Sequence, residues 1–161
     1  MNTSVSASQP PPTLHGNYVL LRAGGLHLLL PQHEVGALEY LASVPIPADI
    51  PGLFRLTDAD DMQDRRFIAL SPQMKLLASF PQERFVYTTL GDEEHDLLGW
   101  CWDEVRILPE LEITPQALPA VLRAPQTPVS RFAEHGDEFL FLCSARQLRN
   151  YALGLGETSH G

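Results

Sequence analysis

Positive charge is scarce in this chain: 11 Lys and Arg stand against 20 Asp and Glu, a formal net charge of -9 at pH 7. Nucleic-acid binders carry a concentrated basic face, and anionic lipid repels an acidic surface, so both are poor partners for it. Cysteine is scarcer still. Cys101 and Cys143 lie far apart, form no Cys-x-x-Cys pair, and sit in apolar runs as buried thiols rather than zinc or redox ligands. No apolar run reaches the roughly 20 residues that span a bilayer. Met1 to Pro12 is rich in Ser, Thr and Pro and lacks the basic start and apolar centre of a secretory signal, so a cytoplasmic location is expected. Gly-x-Ser-x-Gly, Gly-x-Gly-x-x-Gly and phosphate-loop patterns are all missing, which leaves serine hydrolases and nucleotide binders without support.

What is present is apolar and punctuated. At 161 residues and 44% hydrophobic, the chain can bury a core as one domain. Residues 1–16, with Pro10-Pro11-Pro12, read as a disordered tail. Tyr18 to Arg22 and Leu26 to Leu30 flank Gly24-Gly25, the signature of a β-hairpin. Prolines recur from Pro45 to Pro128, and each removes a ladder donor, which argues against long helices and long central strands. Short strands are predicted at 53–56, 66–70, 74–78, 84–90, 96–102, 105–108, 128–132 and 138–143, in a small barrel or sandwich. One helix is predicted from Ser144, whose side chain with Gln147 makes a capping box. Leu148, Tyr151, Ala152 and Leu155 give it one apolar stripe, and Gly154 and Gly156 give it stops, with 154–161 frayed.

Few constellations carry chemistry. Asp58, Asp60, Asp61 and Asp64 are the densest acid cluster, but Met62, Gln63 and Ala69 stand where an EF-hand loop needs an oxygen ligand, Gly and Glu, so a solvated loop is expected. The six histidines, His27, His33 and His95 among them, show no metal-ligand spacing, and neither metal nor cofactor is expected. Cys143 is the enzymatic alternative. It stands at a strand-to-helix junction where helix amides lower a thiol pKa, with His135 as a candidate base, although the apolar Phe139 to Leu142 before it favours an inert thiol. A small-ligand-binding barrel is a further alternative. Trp100 and Trp102 alternate on one strand and share a face, as barrel core or as a partly open aromatic groove.

The run Gly99-Trp100-Cys101-Trp102-Asp103-Glu104-Val105 resembles the Gly-x-x-Val-Asp-x-Val segment of CheW-like domains, the adaptors that couple chemoreceptors to a histidine kinase. Leu28 to Pro31 with Glu34-Val35 is similar to that family's apolar-Pro-x-x-Glu-Val turn, and Pro45 to Leu53 to its proline-rich approach. The family's Asn-Leu-Arg-Gly reads Met62-Gln63-Asp64-Arg65 here, a charge reversal at a partner-binding arginine that favours a divergent member, from a pilus-linked pathway or with another partner. The resemblance implies an all-β fold of two small five-stranded SH3-like barrels packed together over 17–153, with a short C-terminal helix. It also implies a non-enzymatic adaptor that binds a kinase regulatory domain and a receptor signalling tip. Glu34, Val35, Leu38, Trp100, Trp102, Glu104, Val105 and Leu108 are the expected partner-binding residues, with an apolar seam at Val35, Leu38, Val105 and Leu108 receiving a helix and the two acids at its rim.

Overall fold

The computed structural model describes residues 12–36, 38–48, 50–56, 65–91, 98–119, 128–129 and 131–158. The Asp58 to Asp64 cluster, His95 and most of the expected N-terminal tail lie outside them.

The hairpin forms as its glycines dictate. Strand β1 (Leu14–Ala23) pairs antiparallel with β2 (Leu26–Pro31), and Ala23 faces Leu26 across a two-residue loop whose first member, Gly24, has φ +61. That left-handed conformation costs glycine nothing and most other residues 1 kcal/mol or more. β1 starts three residues before the expected Asn17, because Leu14, His15 and Gly16 pair with Ile113, Glu112 and Leu111. A 3-10 turn, Gln32–Glu34, follows β2, and then come β3 (Glu39–Tyr40), β4 (Ile46–Pro47), β5 (Phe54–Arg55), β6 (Arg66–Ala69), β7 (Val86–Thr88) and β8 (Leu98–Trp102). β9 (Glu104–Ile113), β10 (Gln116–Ala117), β11 (Arg131–His135), β12 (Glu138–Leu142) and helix α1 (Ala145–Thr158) complete the order. The 74–78 segment reduces to one bridge between Leu76 and Leu70.

The strands make two six-stranded mixed sheets, ordered β10-β11-β12-β2-β1-β9 and β3-β7-β8-β6-β5-β4. β12 runs parallel to β2 and β6 parallel to β8, while the remaining pairs are antiparallel. The fold is thus mostly β, as expected. The expected closed five-stranded barrels are not what the described residues form: each sheet has six strands, and its two end strands do not pair. β9 also runs ten residues through Pro109, where the proline pattern predicts short strands. It can do so because it is an edge strand with β1 on one side. The register moves from Tyr18↔Leu108 to Gly16↔Leu111, so Pro109 and Glu110 together face Asn17 in a bulge. Glu110 has φ +50 there, and its N–H donates to Asn17 Oδ1 at 2.9 Å.

Three clusters fill the interior. The largest draws Val19, Leu21, Leu28 and Leu30 from the first sheet, Ile68, Trp100 and Trp102 from the second, and Leu148 and Ala152 from α1. Opposite faces of the same strands build the other two: Leu20, Leu29, Leu140 and Leu142 in the first sheet, Phe54, Phe67, Ala69 and Cys101 in the second. Strands buried on both faces explain the unbroken apolar runs 19–21 and 28–30. No helix among the described residues is long and apolar enough to cross a membrane.

Candidate functional site

The chain passes from the second sheet to the first at the β8-β9 corner, which is held by charge. Asp103 Oδ2 accepts the Gly24 N–H at 2.6 Å and lies 3.3 Å from Arg84 Nε, while its own N–H donates to the Arg22 carbonyl at 2.8 Å. Arg84 is 4% exposed and donates through Nη1 to the Leu70 carbonyl at 2.6 Å. Its Nε–H is not aligned on an acceptor, so the contact with Asp103 is a charge interaction rather than a hydrogen bond. One carboxylate and one guanidinium thereby join the β1-β2 turn, the end of β6, the approach to β7 and the sheet crossing. The sequence reading has Asp103 only within the run that resembles the CheW-like segment and Arg84 only as the start of the 84–90 strand. The usable signal is a lone arginine entering an apolar run, Arg84 before Phe85, which is buried only with a countercharge.

The expected partner residues do not gather at one place. Trp100 and Trp102 are each 1% exposed and stack on each other, centroids 6.3 Å apart and planes 7° apart. Trp102 Nε1 donates to Thr88 Oγ1 at 3.2 Å, within the shared core. They are core and not an open groove, because the indole face of β8 meets the first sheet while Phe67 and Tyr87 crowd its other face at Gly99. The four-residue seam is also corrected. Strand side chains alternate, so Val105 and Leu108, three apart on β9, point to opposite faces. Val105 packs with Val35 against the shared core, Leu108 packs against the first sheet's own cluster, and Leu38 is exposed.

The two acids differ from each other. Glu34 Oε1 accepts the Ala145 N–H at 2.7 Å, so this carboxylate caps α1 from a distant turn, alongside Ser144 Oγ, which accepts the Gln147 N–H at 3.1 Å. Its Oε2 is 3.8 Å from His33 Nε2. Glu104 is solvent-facing and meets Arg106 Nη2 at 2.9 Å and Arg22 Nε at 3.6 Å.

Cys143 lies against the α1 N-terminus, but burial and then the nearby Glu34 carboxylate push its thiol pKa far up, not down. Burial likewise pushes Cys101 up to about 12, against a smaller lowering by Arg84. Neither supplies a thiolate at neutral pH. His27 is partly buried beside Glu138 at 3.7 Å, and among the described residues no group of three or more His, Cys, Asp or Glu could hold a metal ion.

What the surface does offer is apolar. Leu38 (42%), Tyr40 (65%) and Phe85 (57%) are exposed about β3, with Tyr40 and Phe85 stacked at 6.4 Å and 23°. The sequence reading names Leu38 alone of these. The chain matches no family model, and no curated protein matches it.

Proposed function

We propose that this chain is a cytoplasmic, non-enzymatic adaptor of a chemosensory signalling system, a divergent CheW-like protein that couples receptors to a histidine kinase by protein contacts. One observation supports the reading above the others. The segment that resembles the family's Gly-x-x-Val-Asp-x-Val, Gly99 to Val105, is the crossing between two sheets, with its aspartate fixed by Arg84 at the corner. In this reading each sheet stands for one SH3-like unit, and the shared core holds the two at a fixed angle so that separate partners are kept in register. The function is then affinity and geometry, with no bond made or broken.

Calorimetry with a chemoreceptor signalling tip and a chemotaxis-type kinase regulatory domain from the same organism tests it. Wild type should bind at least one. Glu104→Arg, on a solvent-facing carboxylate of the crossing, should slow association and weaken salt dependence while leaving the circular dichroism spectrum unchanged. Failure of the wild type to bind either partner would end the adaptor reading.

A further inference from the structure

The two sheets have four outer strands, and three of them are guarded. β4 contains Pro47, β10 lies between Pro115 and Pro119, and β9 carries Pro109, a bulge and alternating charges. These are the devices by which proteins keep a sheet edge from pairing with another chain. β3 has neither proline nor bulge, and its only guards are its two-residue length and one charged side chain, Glu39. It is the end strand of the second sheet, and neither it nor its neighbours from Leu38 to Val44 include a proline or a lysine.

The hydrogen-bond pattern shows what this edge presents. Glu39 faces Tyr87, Tyr40 faces Val86, and the Leu41 N–H donates to the Phe85 carbonyl at 2.8 Å. Bonded and non-bonded pairs alternate along an antiparallel ladder. With Leu41 and Phe85 bonded, Tyr40 falls in a non-bonded pair, so its N–H and C=O face away from β7, toward the open side. Tyr40 stacks on the Phe85 ring, and both rings and Leu38, two residues before Tyr40, are exposed. A backbone donor and acceptor beside contiguous exposed apolar side chains is the arrangement that accepts an added strand.

Charge selects the occupant. Glu39 on β3 and Glu83, two residues before Phe85, are exposed, and Arg65 is engaged with Glu39 at 3.6 Å and over the Tyr87 ring at 5.6 Å. A second copy of the chain would bring another -9 to this edge. We infer that the β3 edge docks an extended segment of a partner protein, with alternating apolar side chains flanked by Lys or Arg, which adds to the second sheet as a further strand beside Tyr40. This surface is built on the outer strand of the second sheet, and its peptide test is read independently of receptor and kinase coupling.

The probe is a fluorescein-labelled peptide, Lys-Val-Tyr-Val-Thr-Val-Lys, measured by fluorescence anisotropy on the full chain at low and moderate salt. It should bind and weaken as salt rises. A version with Glu for both Lys, and one N-methylated on alternate amides to remove strand donors, should each bind at least about tenfold more weakly. Tyr40→Lys, at an exposed position, should lose about tenfold without a change in melting temperature, and Leu38→Asp gives a second, independent loss. Equal binding by the N-methylated peptide, equal binding by both variants, or no binding of the parent peptide at millimolar concentration would each overturn the assignment. A dimer in light scattering that Tyr40→Lys dissolves would do the same, giving the edge to a second copy.

Discussion

Asp103 serves two partners with one side chain, the Gly24 N–H and the Arg84 guanidinium, and what it neutralises is buried more deeply than it is itself. Removing it leaves the Arg84 guanidinium, 4% exposed, with the Leu70 carbonyl but no countercharge, and leaves the Gly24 N–H without its acceptor. Breaking a buried pair on one side costs about 3 kcal/mol or more, whereas replacing both partners by apolar groups is often near neutral. Asp103→Ala should therefore lower the urea midpoint strongly, and Arg84→Met with Asp103→Leu should recover much of the loss. A double-mutant cycle with coupling near zero would show that the corner is held by packing alone. The thiols make a second case. Both start from 9.0 and are raised by burial, so each keeps its proton longer in the folded chain than in the unfolded one. Their contribution is full below about pH 9 and falls as pH climbs from there, toward about 12 for Cys101. The slope approaches about 1.4 kcal/mol per pH unit for each thiol. Urea titrations at pH 8 to 10.5 should show a steeper decline for the wild type than for Cys101→Ala with Cys143→Ala. Parallel declines would mean the thiols do not report the loss.

Among the elements, β8 has both faces covered and a glycine where one of them is tightest. A Cβ at Gly99 would stand 2.8 and 2.9 Å from two carbons of the fully buried Phe67 ring and 3.0 Å from Tyr87. Gly99→Ala should destabilise by about 1 to 3 kcal/mol, the usual range for overpacking, and a thermal midpoint equal to wild type would show that the Phe67 ring has room to move. Elements of this kind were partly legible in the sequence. The Gly24-Gly25 hairpin and the Ser144 cap are local, written in residues a few positions apart, and the structure has both. The β11-β12 hairpin is equally local, Gly136-Asp137 with φ +63 at the glycine, but its first strand runs over 131–135 and not over the expected 128–132. The cap that Glu34 gives to α1 was not legible, because its partner lies 111 residues away. Nor was the course of β9. A proline in a run argues against a strand only when both sides of that strand are paired, and sequence does not say which strands are edges.

For the whole molecule, the deciding feature is that the largest core belongs to neither sheet alone. Val19 and Leu28 of the first sheet, Ile68 and Trp100 of the second, and Leu148 of α1 meet in one cluster. Reading a Trp-x-Trp strand as core was possible from alternation, but which sheet would cover it was not, since that contact joins segments about 80 residues apart. The same arrangement argues against two units that fold separately. If either sheet opened, the other would expose apolar side chains at about 25 cal/mol per Å² of lost burial, a penalty that ties the two transitions together. Both tryptophans sit in the shared cluster, so their fluorescence reports the contact between sheets, while far-UV circular dichroism reports the strands within each. The two signals should follow one urea transition with the same midpoint and slope. Leu148→Ala, which empties a fully buried site where the helix meets that cluster, should move both signals together by about 2 to 5 kcal/mol. If fluorescence changed at a lower urea concentration than circular dichroism, the sheets would be parting before they unfold, and a rigid scaffold presenting two partners at a fixed angle would no longer describe this chain.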